Sequence, residues 1–203
     1  MITKYHTDIE KRDELFKDRF EIMEYANKVV SERKEYIRGY KTAKRFPYYY
    51  STHYKSRTGN RYTVTLTATD KKKGGSNPIL SFYTTMDTEE GKYMFRYDIR
   101  NNVITMFTPH FFKRYRERFL KNENLSVDRI IELFDRNNIA KVKTDEEGVW
   151  IGSDGYFMGK SVADGLDICV TYVSFRMLRE DQLDRTEQGL AAIRRYKMEE
   201  IDI

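Results

Sequence analysis

The chain is poor in the residues that most often announce a cofactor or a staple: one cysteine, three histidines, three prolines and one tryptophan among 203 residues. A lone cysteine, Cys169, excludes an intramolecular disulfide and fits a reducing compartment. His6, His53 and His110 stand far apart, and neither a Cys-x-x-Cys nor a His-x-x-x-His spacing occurs, so no metal site and no cofactor is expected. No apolar run approaches the roughly 18 residues of a membrane span. The first residues, Met1-Ile2-Thr3-Lys4-Tyr5-His6, run straight into charged ones with no apolar signal core. The expectation is a cytoplasmic protein with no membrane partner. Glycine is also sparse, and Lys72-Lys73-Gly74-Gly75-Ser76 and Gly152-Ser153-Asp154-Gly155 read as turns; neither has the spacing of a phosphate-binding P-loop.

Acidic residues are missing from one long stretch. The formal net charge of +5 divides into 26 Lys and Arg against 15 Asp and Glu up to Lys121, and 11 against 17 beyond it. Between Tyr36 and Thr69 no acidic residue occurs, whereas Arg38, Lys41, Lys44, Arg45, Lys55, Arg57 and Arg61 do, interleaved with seven tyrosines. Lys71, Lys72 and Lys73 follow. Cations neutralise phosphates and aromatic faces stack bases, so the combination suits RNA or another nucleic acid. A solvated basic face with tyrosines packed at strand positions fits the same pattern.

Residues at helical spacing (Phe16, Phe20, Met23, Ala26 or Asn27, Val30, Ile37) predict a long amphipathic N-terminal helix over about residues 8–42, a face that also suits a protein partner. Alternation then predicts strands at 61–69, 79–86, 93–99 and 103–107 in an antiparallel meander. Two helices follow, near 109–121 and 126–137. Strand-like runs return at 140–142, 149–151, 156–162 and 166–173, and 178–198 reads as a C-terminal helix. The expected fold is α+β: antiparallel sheets with a long N-terminal helix, a central helix pair and a C-terminal helix. A boundary near 102 divides a basic, tyrosine-rich region 1–102 from an α+β region 103–203, unless the two form one continuous domain.

The segment richest in chemistry is Thr108-Pro109-His110-Phe111-Phe112-Lys113-Arg114-Tyr115-Arg116-Glu117-Arg118-Phe119. Thr108 suits an N-cap and Pro109 the first helical position. At about 100° per residue, His110, Arg114, Glu117 and Arg118 fall on one face, with Phe111, Phe112, Tyr115 and Phe119 on the adjoining one. A proton carrier, two guanidiniums and a carboxylate are the inventory of a metal-free phosphoryl-transfer site. The same residues also fit a helix that is merely capped and laced by ion pairs.

His110-x-x-x-Arg114-x-x-Glu117-Arg118, followed by Leu125-Ser126-Val127-Asp128-Arg129-Ile130-Ile131, resembles small domains with the pattern H-x-x-x-R-x-x-E-R. These resemble the barnase/EndoU/colicin/RelE-type ribonuclease fold, helices before a four-stranded antiparallel sheet. The resemblance covers about a third of the chain. It implies that the helix His and Arg line a nuclease site together with a hydroxyl on a late strand, for which Thr171 in Ile168-Cys169-Val170-Thr171-Tyr172-Val173 is the match. The implied activity is a metal-independent RNA endonuclease, toxin-like or mobile-element-associated. His110 would be acid or base, Arg114 and Arg118 would stabilise the phosphorane, and Thr171 would orient the phosphate. A non-catalytic nucleic-acid-binding protein and a protein-interaction module are the competing expectations.

Overall fold

In the computed structural model, the alternating stretch after Pro47 forms a run of strands, each turning back on the last. The structure describes residues 1–99, 101–144, 147–177, 186–191 and 193. Strands β1 (Tyr48–Lys55), β2 (Arg61–Ala68), β3 (Ile79–Thr88), β4 (Gly91–Asp98) and β5 (Val103–Phe107) pair in sequence order, all antiparallel. Tyr62, Val64, Leu66 and Ala68 are all buried, as their period of two requires of a core-facing strand. A second antiparallel run comprises β6 (Val142–Lys143), β7 (Val149–Ile151), β8 (Gly155–Ala163) and β9 (Leu166–Ser174).

The two runs are one sheet. β9 lies parallel to β5, with Ile104 opposite Leu166 and Phe107 opposite Cys169, which gives nine strands in the order β1-β2-β3-β4-β5-β9-β8-β7-β6. Parallel neighbours cannot be joined by a tight turn and need a crossover. Helix α5 (Pro109–Tyr115), a π-helical turn at Arg116–Leu120 and α6 (Val127–Asn137) lie within that crossover. Thr108 caps α5 by accepting from the Phe111 N–H, and Ser126 caps α6 through the Arg129 N–H.

The expected fold is corrected in three respects. The antiparallel sheets are one mixed sheet, whose strands pair straight across residue 102. The central helices are a crossover packed on that sheet: Phe111, Phe112, Tyr115, Ile130, Ile131 and Phe134 bury against Phe107, Phe157, Cys169 and Tyr172. The long N-terminal helix is three helices: α1 (Asp8–Phe16), α2 (Arg19–Glu32) and α3 (Lys34–Thr42). A straight helix over 8–42 would run about 52 Å at 1.5 Å per residue, longer than the roughly 38 Å across eight inter-strand spacings. The breaks fall where tertiary bonds hold the chain. Asp18 is fully buried and accepts hydrogen bonds from Ser56, Thr58, Asn60 and Tyr62. The Arg33 guanidinium donates to Tyr25 and Thr52.

The apolar stripe is out of phase with the expected one. Ile22, Ala26, Val29 and Tyr36 are buried on the sheet, whereas Phe20 is 73% exposed. The helices thus cover both faces of the sheet, α1–α3 on one and α5–α6 on the other. Of the expected C-terminal helix, 186–191 and 193 are helical and the rest lies outside the described residues.

Candidate nucleic-acid interface

The polar face of α5 is only partly what its spacing suggests. His110 is exposed, the Arg114 Nε–H lies 3.4 Å from His110 Nε2, and Arg114 Nη1 donates to Glu117 Oε2 at 2.8 Å. That hydrogen bond holds the Glu117 carboxyl below the usual carboxylate range. Arg118 leaves the group, its guanidinium donating to the Tyr172 carbonyl of β9. The reason is the π-helical turn, which abandons the 100° step at Arg116 and rotates everything after it.

Thr171 is also not brought to this face. Tyr172 packs on Phe111, Tyr115 and Phe119, so strand alternation directs Thr171 to the other side of the sheet. A bulge reinforces this: Met158 opposes Thr171 and Gly159 opposes Cys169, leaving Val170 as an extra, exposed residue. The structure joins His110, Arg114 and Glu117, and it separates Arg118 and Thr171 from them.

The basic residues of the first half divide between the two ends of the β1–β2 hairpin, roughly 26 Å apart for eight residues of strand. Lys55, Arg57 and Arg61 surround the turn. There Glu21 accepts from the Arg57 backbone N–H at 3.1 Å and from the Tyr54 hydroxyl. At the other end, Arg38 and Lys41 on α3, Lys44 and Arg45 leading into β1, and Lys71, Lys72 and Lys73 after β2 come together. The short helix α4 (Lys73–Ser76) docks on α3, the Tyr36 hydroxyl donating to the Gly74 carbonyl. Only glycine fits there, since a Cβ on Gly74 would lie 2.6 Å from the Tyr40 ring. None of these seven cations has an ion-pair partner among the described residues, and all but half-buried Lys73 are exposed.

A cavity of about 340 Å³ opens at this same end, on the α5–α6 side of the sheet. Its walls come from both halves of the chain: Pro47, Tyr49, Thr67 and Thr69 from the hairpin, Phe119 from the π turn, Arg136 and Asn137 from α6, Asp154 from the β7–β8 turn. Arg45 lies two residues before Pro47 and Lys71 two after Thr69, about 7 Å of chain in each case. Phe119 is 38% exposed and stacks on Tyr115 with ring centroids 5.2 Å apart. The Arg136 guanidinium lies 5.4 Å from the centre of the Tyr49 ring and donates through Nη2 to Glu132 at 2.6 Å.

Two polar atoms of these lining residues, Arg136 Nε and Asp154 Oδ1, are shielded from solvent and have no hydrogen-bond partner among the described residues. The other Asp154 oxygen accepts from the Tyr115 hydroxyl at 2.7 Å and from Asn138 Nδ2 at 2.8 Å, while the Tyr172 hydroxyl donates to the Asp154 carbonyl at 2.6 Å. Burial pushes the Asp154 carboxyl above the usual range, a rise that these donors only partly offset. It also pushes the Tyr115 and Tyr172 hydroxyls up, so both remain donors at neutral pH.

The sequence reading treated 152–155 as a plain turn and missed Asp154, Arg136, Tyr49 and Phe119 as neighbours. Gly152 is the local signal. A Cβ there would lie 2.1 Å from the Phe157 ring and 2.6 Å from Asn138 Oδ1, so glycine is needed to seat the turn on α6.

No group of three or more His, Cys, Asp and Glu is placed to hold a metal among the described residues, and none of their helices is long and apolar enough to cross a membrane. Comparison with known proteins finds no matching family model, curated protein or solved structure.

Proposed function

We propose that the chain binds single-stranded nucleic acid, RNA first among the candidates, at the open end of the β1–β2 hairpin. The observation that carries this reading is a cavity walled by Tyr49 and Phe119, with Arg45 and Lys71 each two residues along the chain from its lining and, at the same end of the hairpin, five more cations that have no ion-pair partner among the described residues. Cations without carboxylate partners are available to phosphates, and displaced counterions drive the association. The aromatic walls suit bases, which stack in any sequence. Fluorescence anisotropy with labelled RNA and DNA octamers, titrated with salt, tests it. Binding that falls by orders of magnitude between about 50 and 200 mM salt is expected; no binding to either at low salt overturns the reading.

A second reading is the metal-independent endonuclease. What supports it is the exposed His110–Arg114–Glu117 group and the order of two helices followed by the antiparallel β6–β9 run, which is the order the ribonuclease resemblance implies. In that mechanism a base takes the 2′-hydroxyl proton and the hydroxyl oxygen attacks the adjacent phosphorus in line. An acid then protonates the departing 5′-oxygen. His110 would serve as acid or base and Arg114 would hold the phosphate, without Arg118 or Thr171. RNA cleavage in EDTA that vanishes in His110→Ala is the expected result. Equal products from both proteins, or none from either, remove this reading and leave binding intact.

A further inference from the structure

We infer that the free edge of β1 is a docking strand for an extended, acidic segment of a partner protein, which pairs with it as a further strand of the sheet. The inference goes beyond the nucleic-acid reading and does not depend on it, since it rests on the backbone of β1 and not on the cavity.

β1 is an end strand of the nine, bonded to β2 on one side only. In an antiparallel pair, residues that exchange both backbone bonds alternate with residues whose N–H and C=O turn away. The Ser56 N–H donates to the Asn60 carbonyl at 2.9 Å. Ser56 is thus of the bonded kind, and counting back by two puts Tyr54, Thr52, Tyr50 and Tyr48 with it. Tyr49, Ser51, His53 and Lys55 therefore turn both backbone groups outward. Only one protein group meets that row among the described residues, the Tyr25 hydroxyl, which donates to the His53 carbonyl at 3.3 Å.

Natural sheets seldom leave such an edge bare. They shorten it, bulge it, or set proline and lysine along it, because unpaired N–H and C=O groups are a template for another chain. β1 is eight residues long, in unbroken register from Tyr48 opposite Ala68 to Lys55 opposite Arg61. Pro47 lies just before it, and its one lysine is its last residue. Its protection is electrostatic: Lys44 and Arg45 flank one end, Lys55 and Arg57 the other, and no acidic residue occurs between Tyr36 and Thr69. That protection discriminates. A second copy paired antiparallel on β1 would set Lys44 and Arg45 of each chain against Lys55 and Arg57 of the other, and like charges across a strand pair destabilise it. The opposite edge, β6, offers only two residues. An acidic strand meets the same charges favourably. A nucleic-acid backbone lacks the alternating N–H and C=O that match the row.

A random dodecapeptide library displayed on phage, panned against the full chain at low and at high salt, supplies the probe. Sequences with Asp and Glu at both ends and β-branched residues between them should be enriched at low salt and lost at high salt. The most enriched is then synthesised with a fluorophore and with N-methyl groups on alternate residues, in two sets. A strand that adds to β1 turns every second N–H toward it. One set should therefore weaken binding at least tenfold and the other should leave it unchanged. In the protein, Ser51→Pro removes one outward N–H and no bond to β2. It should weaken the peptide about tenfold and leave RNA binding and its salt slope as they are. If Ser51→Pro does not fold, the two methylated sets decide the matter on the wild type. No enriched acidic sequence, or equal binding by both methylated sets, overturns the inference. So does a dimer, seen by light scattering, that Ser51→Pro abolishes, since the edge would then belong to a second copy.

Discussion

Asp18, fully buried, and Asp154, half-buried, are both carboxyl groups beside the β1–β2 hairpin, and the contrast between them separates scaffold from candidate site. Asp18, at the turn end, accepts from four side chains: Ser56, Thr58, Asn60 and Tyr62. Every one of those bonds links the α1–α2 junction to the hairpin, so the carboxylate works as a clamp. Asp154, at the open end, has one oxygen that accepts from Tyr115 and Asn138 and a second, shielded from solvent, that has no partner among the described residues. Of the surrounding cations at the turn end, Arg57 alone has an ion-pair partner among the described residues. Glu21 lies beside Arg57 and the hydrogen-bonded Tyr54 at the turn end, whereas Arg38, Lys41, Lys44, Arg45 and the three consecutive lysines at the open end have no carboxylate partner among the described residues. A fully satisfied polar network specifies structure; a half-satisfied one beside free charge holds capacity for a ligand.

The sharpest way to break this contrast is by stability. Asp18→Ala removes the acceptor shared by Ser56, Thr58, Asn60 and Tyr62 and leaves the buried Tyr62 hydroxyl without one, and should cost about 3 kcal/mol or more. Asp154→Asn retains the acceptor for Tyr115 and Asn138 and should cost about 1 kcal/mol or less. Urea unfolding measures both, and equal losses would make Asp154 another clamp.

The next effect is on binding. Lys71, Lys72 and Lys73 replaced together by Gln should lower affinity for single-stranded RNA at least tenfold and flatten the salt slope by about 2, at about 0.7 per lost phosphate contact. The matching change of Lys55, Arg57 and Arg61 to Gln at the turn end should matter far less. Equal losses would show that the strand follows the whole hairpin.

pH sharpens the comparison at Asp154 itself. Its folded pKa is raised, so the folded chain holds that proton more tightly than the unfolded one does. The resulting stabilisation is complete below the ordinary carboxyl value of about 3.9 and is lost as pH rises through the raised value. Asp154→Asn should therefore gain stability relative to the wild type as pH climbs from about 4 towards neutrality. A pH-independent difference would place a donor on Oδ1.

The smallest effect belongs to His110→Ala. The side chain is exposed, with one long contact to Arg114, so stability should change by about 0.5 kcal/mol or less. Any larger loss would mean that this face is packed in solution, and the cleavage assay would then need a different variant.

Much of the local structure was legible. The period-two run Tyr62, Val64, Leu66, Ala68 marked its strand, and Thr108-Pro109 marked the start of α5 where the structure has it. The candidate site was legible only in pieces. Periodicity placed His110 and Arg114 together correctly because they lie one regular turn apart. It misplaced Arg118 because a π turn intervenes, and that change of winding accompanies the packing of Tyr115 and Phe119 on Tyr172. The basic run looked like a single patch because sequence proximity ignores a hairpin, which carries Lys55 to the end opposite Arg45.

By itself the sequence determined which segments alternate and which wind, where two helices begin, and that the first half carries the positive charge, since each depends on residues within one or two turns of one another. The tertiary structure alone decided that β9 joins β5, that the N-terminal helix breaks at Asp18 and Arg33, and that Tyr49, Phe119, Arg136 and Asp154 surround one cavity. Those four residues span more than a hundred positions, and only the crossover that seats α6 and the 152–155 turn against the hairpin brings them within reach. Whether a buried oxygen finds a donor depends on that assembly, which no local pattern encodes.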